Sequence, residues 1–220
     1  MGNIEITDVY FAPPSVRIFE GPHRFDVEAA VRADGRKVAS IEALLEYRLK
    51  ALDSGNKTEI DRAWNKGYDS STWAAYWRDQ IKIGEGFSMP ENAKLENGTL
   101  QRTVEQYKAL NGKVFSRKDL GAAGLFNDWL PKEKVLKHPV WRTVGGKAFP
   151  RYVDAQFRKY KNAMGFSILD LETETPEQRP LVLNGGYGRW SDLDGYWDLG
   201  LDARLVGVRE KNLSSKVTQK

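Results

Sequence analysis

The chain has 220 residues, a formal charge of +4, 40% hydrophobic and 11% aromatic residues, and no cysteine. That apolar content can bury a sizeable core and sets the chain apart from disordered sequences. The lack of cysteine excludes disulfides, thiolate metal sites and a cysteine nucleophile, and is compatible with a reducing compartment.

The start, Met1 to Asp8, lacks the basic segment and apolar run of a secretory signal. No stretch nears the roughly 18 apolar residues of a membrane helix. A cytoplasmic chain without membrane contact is expected. Residues 3–33 read as strands. Ile4, Ile6, Val9 and Phe11 alternate with polar positions, and Pro13-Pro14 breaks the run. Val16, Ile18, then Phe25, Val27, Ala29 and Val31 alternate again around the turn cluster Glu20-Gly-Pro-His. Asp34-Gly35 has the form of a hairpin turn. A small antiparallel β unit is expected here.

Helices follow. Ser40 is placed to cap one with the face Ile41, Leu44, Leu45, Arg48, Leu49, Leu52, stopped by Gly55-Asn56. Thr58 to Lys66 is a short helical segment. Ser70 or Ser71 caps a third helix through about Ile83, with Trp73, Tyr76, Trp77, Gln80 and Ile81 on one side. Thr99 caps a helix carrying Leu100, Val104, Tyr107 and Leu110. Ser116 caps another that runs toward Trp129, and Pro131 ends it.

Lys132 to Met164 holds nine Lys or Arg against two acids, so the basic character of the chain is local. Its second half, Lys147 to Ala163, reads as a helix. Phe149, Tyr152, Val153, Gln156, Phe157, Tyr160 and Met164 share one face; Lys147, Arg151, Asp154, Arg158 and Lys161 share another. A solvated face over an aromatic core is the commoner origin of such a pattern; a phosphate-facing surface is the functional one.

Beyond it, Phe166, Ile168, Leu169 and Leu171 suggest a strand, Glu172 to Pro180 a polar connection, and Leu181-Val-Leu and Leu205-Val-Gly-Val short β runs. Between them, Asn184 to Asp202 reads as a long loop with five Gly, four aromatics and four Asp.

Four constellations could carry chemistry. Asp192-Leu-Asp194-Gly195 resembles the core of a Ca²⁺ loop, but the twelfth position is Ala203, which has no side-chain oxygen. Tight turns also use Asp and Gly, so no metal and no cofactor is expected. Gly185-Gly186-Tyr-Gly188 does not open a helix and is not a dinucleotide fingerprint. Gly145-Gly146-Lys147 precedes the basic helix, and its N–H groups could receive an anion. His138 lies among Lys137, Trp141 and Arg142; neighbouring cations would lower its pKa, yet spacing identifies no Ser or carboxylate partner.

The run Leu183-Asn-Gly-Gly-Tyr, the long loop after it, and Arg204-Leu-Val are similar to the end of formylglycine-generating-enzyme and C-type-lectin-like domains. Those have a Gly-Gly-x-Trp strand, a loop and a closing Gly-Phe-Arg-Leu-Val. Here the Trp position falls on Gly188 and the closing Gly-Phe on Asp202-Ala203. This stretch does not assign the chain to that family. The resemblance implies that the loop presents a ligand surface and is not catalytic.

The fold expected is α+β in a single domain, 1–220, with soft internal boundaries near residues 40 and 165. It has an N-terminal antiparallel β unit, a helical middle, and C-terminal β segments with a long Gly/Asp/aromatic loop. The terminal β segments can share one sheet. The leading function is a non-enzymatic binding protein with a basic surface of Lys137, Trp141, Arg142, Lys147, Arg151, Arg158 and Lys161. Nucleic acid is the favoured acidic partner, held by phosphate attraction and base stacking. The alternative surface is Tyr187, Trp190, Tyr196 and Trp197, for a protein partner, a ligand or a second copy. An enzyme using Asp192 and Asp194 ranks last.

Overall fold

The computed structural model describes residues 3–9, 16–87, 95–96, 99–125, 129–158, 164–168, 173–186, 190–195, 199 and 203–209. In chain order the elements are β1 (Glu5–Val9), β2 (Val16–Gly21), α1 (Arg24–Ala33), β3 (Lys37–Val38), α2 (Ile41–Ser54), α3 (Lys57–Trp64), β4 (Tyr68–Arg78) and β5 (Gln80–Gly84). Then come β6 (Leu95–Glu96), β7 (Thr99–Gln101), α4 (Val104–Ala109), β8 (Lys113–Ser116), α5 (Arg117–Ala122), β9 (Trp129–Leu130), α6 (Lys132–Lys137) and α7 (Pro139–Val144). A 3₁₀ turn (Gly146–Ala148), α8 (Phe149–Phe157), β10 (Met164–Ser167), β11 (Thr173–Gly186), β12 (Trp190–Asp194) and β13 (Ala203–Val208) complete the described chain. Helices and a mixed sheet make the fold α+β.

The sheet runs β1-β2-β13-β4-β11-β12-β10-β9. The two ends of the chain do meet in it: β13 pairs antiparallel with β2, Leu205 opposite Phe19. One face carries Ile18, Tyr68, Leu181, Leu183, Leu193, Met164 and Phe166 into the main core, where α2, α7 and α8 bring Leu44, Leu45, Trp141, Tyr152 and Val153. On the other face α1 lays Val27 and Val31 against Phe19, Ala203 and Leu205.

Several helix ends follow local chemistry. Ser40 caps α2 by accepting from Ala43 N, and Gly55 ends it at φ 66, the left-handed conformation glycine adopts without a Cβ penalty. Asn56 caps α3, and Ser116 caps α5. The basic segment holds two short helices, α6 and α7, before α8.

Four segments differ from expectation. Phe25 to Val31 is part of helix α1, because Arg24, Val27, Glu28 and Val31 are buried at helical spacing. Residues 70–83 form the β4–β5 hairpin in place of a helix; Trp73, Ala74, Ala75 and Tyr76 are all buried, as a central strand covered on both faces requires. Thr99 begins strand β7, and Thr103 caps the following helix through a capping box with Gln106. The polar run 173–180 belongs to β11: Glu177, Gln178 and Arg179 pair with Tyr76, Ala75 and Ala74 and are buried, with Arg179 Nε on Glu177 Oε1 at 3.1 Å.

Candidate binding surfaces

Arg48 organises the base of the C-terminal region. It is fully buried, and among the described residues each of its hydrogen bonds goes to a neutral acceptor. Nε donates to Ala63 O at 3.0 Å. Nη1 donates to Tyr152 Oη at 2.7 Å, Asn184 O at 3.2 Å and Ser191 Oγ at 3.2 Å. Nη2 donates to Lys66 O at 3.0 Å and Leu183 O at 3.1 Å. One guanidinium thus ties α2, α8, β11 and β12 together and sets the strand on which Trp190 stands.

The expected long loop contains strand β12. It lies parallel to β10 and antiparallel to β11. Period two sends Ser191 and Leu193 into the core, and Trp190, Asp192 and Asp194 to the opposite face. Trp129 on β9 reaches that face as well: it pairs with Gly165, which pairs with Asp192. Gly165 adds no side chain between them. The indoles of Trp129 and Trp190 meet edge to face, centroids 5.6 Å apart, and are 42% and 37% exposed. Tyr187, Tyr196 and Trp197 lie outside the described residues.

Asp192 and Asp194 are strand residues, both buried. Asp192 Oδ2 accepts from Ser167 Oγ at 2.7 Å, and burial raises its pKa above the usual carboxylate range. Asp194 Oδ2 accepts from Asn184 Nδ2 at 3.2 Å. Among the described residues no group of three or more His, Asp or Glu side chains could hold a metal ion.

The basic segment is only partly what its spacing suggests. Lys137, Arg142, Lys147, Arg151 and Arg158 are exposed; Lys161 lies outside the described residues. Arg151 Nη2 pairs with Asp53 of α2 at 2.5 Å, and Lys132 pairs with Asp154 at 2.8 Å. Trp141 is a correction. Its side chain is fully buried, its ring stacks on Phe149 with centroids 5.9 Å apart, and Nε1 donates to Gly165 O at 3.0 Å. It is a core residue and no base can reach it. It stands at the third position of the short helix α7, whose buried residues are Val140, Trp141 and Val144.

The suspected anion site at Gly145-Gly146-Lys147 already holds an anion from the chain itself. Lys147 N donates to Glu42 Oε1 at 2.7 Å. Gly146 has φ 52, and a Cβ there would meet the Glu42 carboxylate at 2.0 Å. His138 is fully buried and serves α7 as its N-cap: Nδ1 accepts from Val140 N at 3.2 Å and Trp141 N at 3.4 Å, and Nε2 lies 2.6 Å from Leu125 O. Nδ1 accepting and Nε2 donating define a neutral ring. Its pKa is lowered to about 4, and the cause is burial, in place of the cationic neighbours expected. Sequence reasoning missed Trp129 and Arg48 altogether. In the sequence Trp129 falls where the spacing predicts the end of a helix, and Arg48 sits on an otherwise apolar helical face.

No described helix is long and apolar enough to cross a membrane. No protein-family model matches the chain, and no curated protein matches it. A solved structure is similar, described as "Accommodation of massive sequence variation in Nanoarchaeota by the C-type lectin fold". It is 16% identical, with a TM-score of 0.65 over 94% of this chain and 98% of that one. The likeness shows the fold, and it is the fold to which the stretch from Leu183 through Arg204-Leu-Val bears a resemblance.

Proposed function

We propose that the chain is a non-enzymatic binding protein whose contact surface is centred on Trp129 and Trp190. The observation that carries this reading is the pair itself: two exposed indoles, held edge to face on β9 and β12 across the intervening strand β10. Exposed tryptophans offer large rigid area and anchor interfaces when a partner desolvates them. Arg48, Ser191 and Asn184 hold the strand beneath them, so the pair stands on a rigid support. The similar structure is described as accommodating massive sequence variation, and a fold that does so keeps its core while its surface changes. That suits presentation of contact residues.

The test is a screen of glycan and peptide arrays with the wild type and a Trp129→Ala/Trp190→Ala variant. Both side chains are at the surface, so the variant should unfold within about 1–2 kcal/mol of the wild type. Ligands bound by the wild type should be lost from the folded variant. Retention of all of them would reject this surface.

A second reading, an acidic partner on the basic segment, keeps one specific support. Lys137, Arg142 and Lys147 are exposed, and among the described residues their side chains form no ion pair. With Trp141 in the core, nucleic acid would be held there by phosphate contacts without stacking. Duplex DNA binding should then fall steeply with salt, and Arg142→Glu/Lys147→Glu should abolish it. A flat salt response rejects this reading and leaves the tryptophan surface untouched.

A further inference from the structure

Strands β4 and β13 run parallel and are joined, among the described residues, by one pairing, Leu205 with Asp69. Beside that pairing lies a cavity of about 440 Å³, with Gly67 and Ala203 at the starts of the two strands in its wall.

The charges around it are arranged in a row. Glu5, Glu20 and Arg204 stand side by side across β1, β2 and β13, Glu5 opposite Glu20 and Glu20 opposite Arg204. All three line the cavity. Like charges directly opposite one another on adjacent strands are unfavourable. Arg204 Nε pairs with Glu20. Glu5 is exposed and, among the described residues, has no hydrogen bond or ion pair. The two terminal amino groups of Arg204 likewise make no hydrogen bond with the described chain. At the inner end, Asp69 accepts from Arg204 N at 3.2 Å and lies 3.3 Å from Nη1 of the buried Arg24. Pro22, Val182, Leu199 and Ala203 supply apolar wall.

We propose that this cavity binds a compact zwitterion, an α-amino acid with a medium-sized apolar side chain. The ammonium group sits against Glu5 and relieves its opposition to Glu20. The carboxylate takes the terminal amino groups of Arg204, for which a planar two-oxygen acceptor is the natural match. The side chain lies along Val182 and Leu199. Asp69 is engaged by Arg24 and Arg204 and closes the inner end. Cavities of this size with a few converging polar groups and an apolar wall are the usual form of a small-molecule site.

Calorimetric titration of the full chain with L-leucine tests the proposal. Two related probes isolate the charges: 3-methylbutan-1-amine lacks the carboxylate, and N-acetyl-L-leucine lacks the ammonium. Saturable one-to-one binding of L-leucine is expected, about tenfold or more tighter than either probe. Glu5→Gln removes an exposed charge that no described residue pairs with, so it should fold normally and bind L-leucine about tenfold more weakly. Absence of saturable heat with L-leucine at millimolar concentration overturns the proposal. So does equal binding of the three compounds, or an unchanged affinity in Glu5→Gln. The tryptophan-surface variant should bind L-leucine as the wild type does, which keeps the two sites distinguishable.

Discussion

Replacing Arg48 by Met tests the structural argument most directly. The guanidinium is fully buried and donates to six acceptors: four main-chain carbonyls, the Tyr152 hydroxyl and the Ser191 hydroxyl. Met fills much of the same volume and donates nothing. Tyr152 Oη and Ser191 Oγ keep each other at 2.7 Å, so the two hydroxyls are not orphaned. The carbonyls of Ala63, Lys66, Leu183 and Asn184 lose a donor. A buried group left unsatisfied costs about 1–3 kcal/mol, less where a second partner remains, so a total near 4 kcal/mol is expected. The ring of Trp64 lies 5.9 Å from the guanidinium and stacks on Tyr152, and its loss of order adds to the same total.

For a chain of this length that corresponds to a fall in Tm of about 8–16 °C. Lys at this position places three donors at one point and should recover about half. Urea unfolding followed by tryptophan fluorescence measures both variants, and constant m values confirm that the native states are compared fairly. A stability of Arg48→Met within about 1 kcal/mol of the wild type would refute the reasoning. It would mean that loss of the buried charge's desolvation offsets loss of all its hydrogen bonds.

Three further predictions follow from individual contacts. His138 has a folded pKa of about 4 against 6.5 unfolded, so its contribution is complete above about pH 6.5 and lost as pH falls toward 4. The loss amounts to about 3 kcal/mol; the difference in stability between wild type and His138→Asn should shrink across that window, and a pH-independent difference would contradict the buried neutral ring. Gly146→Ala combines a left-handed φ of 52 with a Cβ driven into the Glu42 carboxylate, and should cost about 1–3 kcal/mol in thermal unfolding. Lys82→Met removes Nζ from the carbonyls of Tyr107 and Leu110, at 2.9 and 3.1 Å; hydrogen exchange should quicken through α4 and the start of β8.

Much of the chain's local structure was legible because it depends on neighbours in sequence. Helix α2 with its Ser40 cap and Gly55 stop, the Ser116 helix start, and the strands β1 and β2 each express short-range spacing and end chemistry. The central strands did not show themselves. A strand buried on both faces loses the alternation that marks it, so Trp73 to Tyr76 passed for a helical face, and the buried polar residues of β11 passed for a connection. For α1 the error ran the other way, since Phe25, Val27, Ala29 and Val31 also fit period two.

The candidate sites divide along the same line. The sequence by itself determined that positive charge gathers between residues 132 and 164, that Trp190 stands in an unusual run, and that no thiol chemistry is available. Only the tertiary structure decided which of these features face solvent. Trp141 went inward and Trp129 came to meet Trp190, while Glu42 took the anion position and Asp53 took Arg151. The reason is physical: exposure and charge pairing depend on residues brought together across a hundred positions of chain, and a linear pattern carries no measure of that distance.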